Sequence, residues 1–200
     1  VSITGNVEGY NSIKFTNNSP EVVTGAQRQG SSQVTQIHAT MPPYPTGTSD
    51  PNYPHPIVIV DGDYTVHGTF PPAGLLDSEG NQVSSGTLYV RGGTLHIGPE
   101  TDEGTDPNIT GVWCFATDGD LHFNNLRNGI SSDQGSARFF MVGGQLHLNN
   151  VRGPADIWGG IYCNGDIHTN NFKNAEDYPF TVHGGIFANG TIHFNNFKNG

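Results

Sequence analysis

Five histidines, His96, His122, His147, His168 and His193, occupy the middle of the segments Leu-His-Ile, Leu-His-Phe, Leu-His-Leu, Ile-His-Thr and Ile-His-Phe. Neutral imidazole is a good metal ligand, and its charge changes near neutral pH. A straight row does not easily surround one tetrahedral ion. The reading is therefore a ladder of imidazoles on a solvent face with no metal assigned, and the alternatives are a flat contact face for a glycan or another subunit and a metal-binding face. Protonated neighbours in such a ladder suppress one another's pKa, so looser stability or assembly is expected below about pH 6.

Asp63, Asp120 and Asp166 share a second position, at the corner before the strand that bears the row. Asp120 and Asp166 are separated by one intervening repeat, about 9–10 Å at strand spacing. That separation is compatible with an inverting carboxylate pair, so these two are the catalytic candidates. An acid at a corner is also ordinary turn chemistry, and the weight falls there.

A third row is basic. Arg127, Arg152, Lys173 and Lys198 are four of the chain's eight Lys and Arg residues and recur at one phase. Like charges near 5 Å repel by roughly 0.8 kcal/mol in water. The row reads either as a solvated rim or as a stripe for anions or a second subunit. The chain carries no nucleophile elbow, metal motif or phosphate loop.

These rows exist because the sequence repeats. Anchored on Ile192, equivalent positions fall at Ile167, Leu146, Leu121, Leu95 and, less cleanly, Tyr64, with gaps of 25, 21, 25, 26 and 31 residues. Periods of this size mark stacked architectures. Within each unit apolar residues alternate around the histidine, which predicts a half-buried strand with His outward. A second strand precedes it across a corner: Ile186–Ala188 before Asn189-Gly190-Thr191, Ile161–Cys163 before Asn164-Gly165-Asp166, Phe140–Val142 before Gly143-Gly144-Gln145, Phe115–Thr117 before Asp118-Gly119-Asp120. Asn-Gly and Asp-Gly permit the sharp change of direction. After the histidine strand comes an Asn pair and a third apolar position, as in Asn195-Asn196-Phe197 and Asn170-Asn171-Phe172.

Strand, corner, strand, Asn corner and short third side predict an all-β, right-handed parallel β-helix with coils of about 25 residues that bury their apolar faces by stacking. Asn124, Asn149, Asn170 and Asn195, or their followers, are expected to form a structural hydrogen-bonded ladder at one corner.

The whole chain, 1–200, reads as a single domain. Residues 1–40 look like degenerate N-terminal coils, with Ser12–Asn18 mirroring Thr191–Asn196. Residues 41–56, 68–84 and 98–110 are loop excursions, and 111–200 holds regular coils. The first excursion is a Pro/Tyr segment, read as rigid, with a Tyr/Pro contact surface as the functional alternative. The acidic loop 98–110 would suit a hard cation such as calcium, but it lacks the Asp-x-Asp-x-Asp-Gly order and reads as solvated. No cofactor is expected. Asn17 and Asn108 begin glycosylation sequons.

A net charge of −10 is the wrong sign for a nucleic-acid surface. No apolar run reaches the 18 residues a membrane span needs. Acidic, Lys-poor, Asn- and Gly-rich composition is frequent outside cells, and a start at Val1 suggests a processed or trimmed chain. Cys114 and Cys163 lie about 9–10 Å apart by stacking, beyond disulfide reach. Cys163 is expected to face inward, and Cys114 to sit at the surface, where it could pair between chains. The last coil has no amphipathic cap. Exposed strand edges invite another chain, so a homo-oligomer or head-to-tail assembly is expected unless the chain is part of a longer protein.

Gly159-Gly160-Ile161 and Gly184-Gly185-Ile186, followed by Phe172-Lys173-Asn174 and Phe197-Lys198-Asn199, resemble the repeats of polymorphic outer-membrane proteins and related bacterial surface β-helices. Those repeats have Ala after the glycines and two residues between Phe and Asn, where this chain has Ile and one. The resemblance implies a secreted or surface solenoid for adhesion or scaffolding, and carries over no catalytic residue. Phage tailspikes have similar coils, so a virion fibre is a related reading. The expected function is non-enzymatic: an extracellular or surface subunit that adheres, with a glycan among its candidate partners, or self-assembles. The rival is a carbohydrate-active enzyme, a polysaccharide lyase or hydrolase.

Overall fold

The computed structural model describes residues 41–98, 109–125, 130–131, 138–150, 155–171 and 180–195, together with five short strands between residues 2 and 29. The described residues form strands and no helix. The N-terminal strands are β1 (Ser2–Ile3), β2 (Val7–Gly9), β3 (Ser12–Thr16), β4 (Val22–Val23) and β5 (Gln27–Gln29). Then come β6 (Ile57–Asp61), β7 (Tyr64–His67), β8 (Gly86–Arg91), β9 (Leu95–Gly98), β10 (Trp113–Thr117), β11 (Leu121–Asn124) and β12 (Ile130–Ser131). The rest are β13 (Arg138–Val142), β14 (Leu146–Asn149), β15 (Ala155–Ile157), β16 (Gly160–Cys163), β17 (Ile167–Asn170), β18 (Phe180–Val182), β19 (Ile186–Ala188) and β20 (Thr191–Asn195).

The strands form three parallel sheets, ordered β5-β2-β19-β16-β13-β10-β8-β6, β3-β20-β17-β14-β11-β9-β7 and β12-β15-β18-β1-β4. Parallel neighbours need a crossover connection. Here strands of the other sheets supply it, because within β1–β5 and within β6–β20 consecutive strands go to different sheets. From β6 onward each repeat adds one strand to each of the first two sheets, the repeats beginning at β10, β13 and β16 also add one to the third, and each strand pairs with its equivalent in the neighbouring repeat.

Register follows the sequence anchors. Leu95, Leu121, Leu146, Ile167 and Ile192 are consecutive partners and at most 2% exposed. Ile97, Phe123, Leu148, Thr169 and Phe194 form a second buried file in the same strands. Phe123 packs edge-on against Phe115 and Phe140, at 5.1 and 5.4 Å. Burying each such side chain contributes about 1.5–3 kcal/mol. Thr169 is the polar member, and its hydroxyl donates to the His193 carbonyl at 3.0 Å.

Segments outside the regular repeats are put to use. In 68–84, Phe70, Leu75 and Val83 join the core, and Phe70 packs on Trp113 at 4.7 Å and bridges to Ile109. The segment 41–56 crosses the outer face of the first sheet. On that face Ile59, Tyr89, Ala116, Met141, Tyr162 and Phe187 align in one file. Met41, Tyr44 and Tyr53 pack over it. Tyr44 stacks on Tyr89 at 5.5 Å, and the Tyr53 hydroxyl donates to the Pro43 carbonyl.

This strap corrects the reading of Cys114. Its side chain does leave the main core, but the face it joins is covered, so it is fully buried beside Tyr53, Tyr89 and Met141. Cys163 lies in the main core, and neither cysteine is in a disulfide.

The N-terminal strands stand in an unexpected place. They continue the sheets beyond the last repeat: β1 pairs with β18, β2 with β19 and β3 with β20. The β3–β20 register, Ile13↔Ile192 and Phe15↔Phe194, is the one in which the two sequences mirror each other. A strand edge presents unpaired N–H and C=O groups that any matching strand can satisfy. Sequence order therefore does not dictate stacking order.

Candidate functional site

The second sheet carries the histidine row on its outer face. β-strand alternation turns Leu121 and Phe123 in and His122 out, and the same holds in each repeat. All five histidines are half-buried. His122, His147, His168 and His193 form a stack, with successive centroids 4.6, 4.9 and 4.7 Å apart and planes within 12° of parallel. His96 departs from it, tilted 54° to His122 at 5.9 Å.

The departure has a cause at the next corner. Asn195, Asn170 and Asn149 each donate Nδ2 to the Oδ1 of the asparagine one repeat before, at 2.9 Å in each case, ending on Asn124. Asn124 in turn contacts His96 Nε2 at 2.9 Å. The position in β9 that pairs with Asn124 is Gly98, which follows Ile97↔Phe123 in register. With no amide there, the imidazole swings in and completes the row. Asn150 donates to Asn125 at 2.8 Å in a second file, and Asn125, Asn150 and Asn171 turn the corner at φ 54–56°. Asparagine tolerates this left-handed region better than most residues.

The acids lie on the other side of the histidines. Each spends one oxygen on the backbone of the following repeat: Asp63 accepts from Thr94 N at 2.8 Å, Asp120 from Gln145 N at 2.7 Å and Asp166 from Thr191 N at 2.6 Å. The second oxygen faces the histidine two residues on, at 3.9 Å in Asp120–His122 and 3.8 Å in Asp166–His168. Aspartate alternates along the stack with Thr94, Gln145 and Thr191. Taken separately, neither the acid row nor the imidazole row predicts this contact. The signal that joins them is Asp-x-His in one repeat and a bare His in the next.

Burial and the imidazoles of His122 and His67 lower the His96 pKa. Burial, then His122 and His168, lower that of His147. Tyr89, whose hydroxyl donates to Asp118 at 2.9 Å, is pushed up to about 12, chiefly by burial. Burial also pushes the Cys163 thiol up to about 12, which removes it as a nucleophile.

Arg127, Arg152, Lys173 and Lys198 lie outside the described residues, as do the acids of the 98–110 loop and the sequon asparagines Asn17 and Asn108. Comparison with family models, with curated proteins and with solved structures finds no match to this chain.

Proposed function

We propose that the protein is a right-handed parallel β-helix that acts as a non-enzymatic, self-assembling subunit outside the cell or on its surface. The supporting observation is the pairing of β1, β2 and β3 with β18, β19 and β20. The edge of the last repeat accepts a further repeat in register, and the N-terminal segment has the pattern to supply one. What is satisfied within one chain can be satisfied between chains by exchanging the same segment, a low-cost route to oligomers. The acidic, Asn- and Gly-rich composition and the likeness to bacterial surface repeats favour the extracellular setting.

The aspartates fit this reading as staples between repeats. Asp120 and Asp166 each hold a backbone N–H of the next repeat, a structural task for the two residues that would otherwise serve as acid and base.

Sedimentation across a concentration series, with electron microscopy of the same samples, tests the proposal. End-to-end oligomers or fibres that grow with concentration are expected. A monomer at every concentration would overturn it. New reducing or unsaturated ends after incubation with a polysaccharide panel would replace it with an enzyme.

A further inference from the structure

We propose that Asp166, His168 and His193 form a binding site for a divalent transition-metal ion of the zinc type on the outer face of the second sheet. The inference is independent of self-assembly. A row of imidazoles alone leaves an ion open on too many sides, but here the corner carboxylate supplies a third donor from a different direction. One ligand atom of each residue lies within 4.8 Å of the others, and all three side chains are half-buried. The Asp166 Oδ2 to His168 Nε2 distance is 3.8 Å, and the rings of His168 and His193 stack at 4.7 Å and 9°.

Donors about 2.0–2.1 Å from a tetrahedral ion stand about 3.3 Å from one another. The trio must therefore close by about an ångström, which side-chain rotation on an open face can provide. Two imidazole nitrogens and one carboxylate oxygen suit Zn²⁺, Co²⁺, Ni²⁺ or Cu²⁺ rather than calcium or magnesium. Three protein ligands leave a position toward solvent.

The supports are already in place. Parallel pairing of β17 with β20 sets His168 opposite His193. The Thr191 N–H holds Asp166 Oδ1 at 2.6 Å, which fixes the carboxylate and directs its other oxygen at His168. Such outer contacts are what make a metal site rigid. A Cβ at position 190 would stand 2.1 Å from that same Oδ1, so glycine is required for the carboxylate to sit there.

The related trio Asp120, His122 and His147 is the internal contrast. There His147 Nε2 contacts Gln145 Oε1 at 3.1 Å, which occupies a donor atom the ion would need. In the proposed site the equivalent residue is Thr191, which has no long amide.

The test is a calorimetric titration of tag-free, chelator-treated full-length protein with Zn²⁺. A parallel Co²⁺ titration is read by the visible bands of tetrahedral cobalt. One site per chain is expected. Asp166→Asn and His193→Ala should each weaken it at least about tenfold, while His122→Ala leaves it unchanged. Thr191→Gln keeps all three ligands and introduces the competing amide, so it should also weaken binding. Metal-free melting curves identify any variant that fails to fold, and Thr191→Gln then decides. No binding, or binding that Asp166→Asn and Thr191→Gln leave intact, overturns the proposal. So does binding that His122→Ala weakens as much as His193→Ala does, because that is a diffuse histidine face.

Discussion

Asn124 donates its side-chain amide to His96 Nε2 at 2.9 Å, so the asparagine row ends on an imidazole. Accepting through Nε2 requires that nitrogen to be without a proton. Burial and the neighbouring His122 and His67 act the same way and keep the folded-state pKa of His96 below its ordinary value of 6.5. The sign of the pH effect follows. Above about 6.5 the ring is neutral in both states. As pH falls below that value the unfolded chain takes up the proton first, and stability drops until the folded-state pKa is passed. His147 adds to the loss in the same direction. Melting temperature is thus expected to fall between pH 7 and pH 5. His96→Gln, which keeps an acceptor and removes the titration, should flatten part of that fall. Equal slopes for the two proteins would contradict this account. Asp50, Asp61 and Asp77, whose pKa values are lowered, lose their contributions only at more acid pH.

Gly98 is the reason His96 has this role, and Gly98→Asn should take the role away. A Cβ there would stand 3.0 Å from His96 Nε2 and 3.2 Å from Asn124 Cβ, so the ring must move. The introduced amide can then accept from Asn124, as Asn124 accepts from Asn149, and His96 is freed to stack on His122. One hydrogen bond replaces another, so stability should change by less than about 1 kcal/mol. Nitrogen-15 NMR of the ring gives the readout: a strongly preferred unprotonated Nε2 before substitution and a loss of that preference after it.

The contrast between these two residues shows what the sequence could yield. The anchors Leu95 to Ile192, the corners and the asparagine file all follow from alternation plus a fixed period, because parallel pairing turns equal positions into neighbours. His96 shares the pattern of the other histidines, and nothing in Leu-His-Ile says it will tilt away. That depends on a missing side chain at Gly98 and on its neighbour in the next repeat. The burial of Cys114 was hidden for a similar reason. Alternation correctly puts its side chain on the other face from Phe115, but a strap from more than 50 residues upstream decides whether that face is wet. The pairing of β3 with β20 was encoded in the likeness of Ser12–Thr16 to Thr191–Asn195, yet likeness alone does not say at which end a repeat docks.

The strap gives a prediction about thiol chemistry. Tyr53 is 3% exposed and sits in the same cluster as Cys114, with its hydroxyl bound to the Pro43 carbonyl. Tyr53→Ala removes a large buried ring and one end of that bond, at a cost of about 3 kcal/mol. It should also loosen the cover over Cys114. A thiol reagent applied under native conditions should leave the starting protein almost unlabelled and modify Cys114 in the variant, while Cys163 stays protected in the main core. Mass spectrometry of the labelled peptides distinguishes the two. Rapid labelling of Cys114 in the unaltered protein would mean that the strap does not cover it.

Asn150 separates two contributions that coincide at the corner. It turns the chain at φ 54° and donates to Asn125 Oδ1 at 2.8 Å. Asn150→Ala loses the bond and also places a Cβ-bearing residue without a compensating polar group in the left-handed region, which costs about 1–2 kcal/mol on its own. Asn150→Gly loses the same bond but adopts that backbone freely. Alanine should therefore destabilise more than glycine, by about 1 kcal/mol, in urea unfolding of the two variants. This reverses the order found in extended or helical segments, where glycine is the worse residue. If the two variants unfold at the same urea concentration, the backbone turn contributes little and the amide file alone holds the corner.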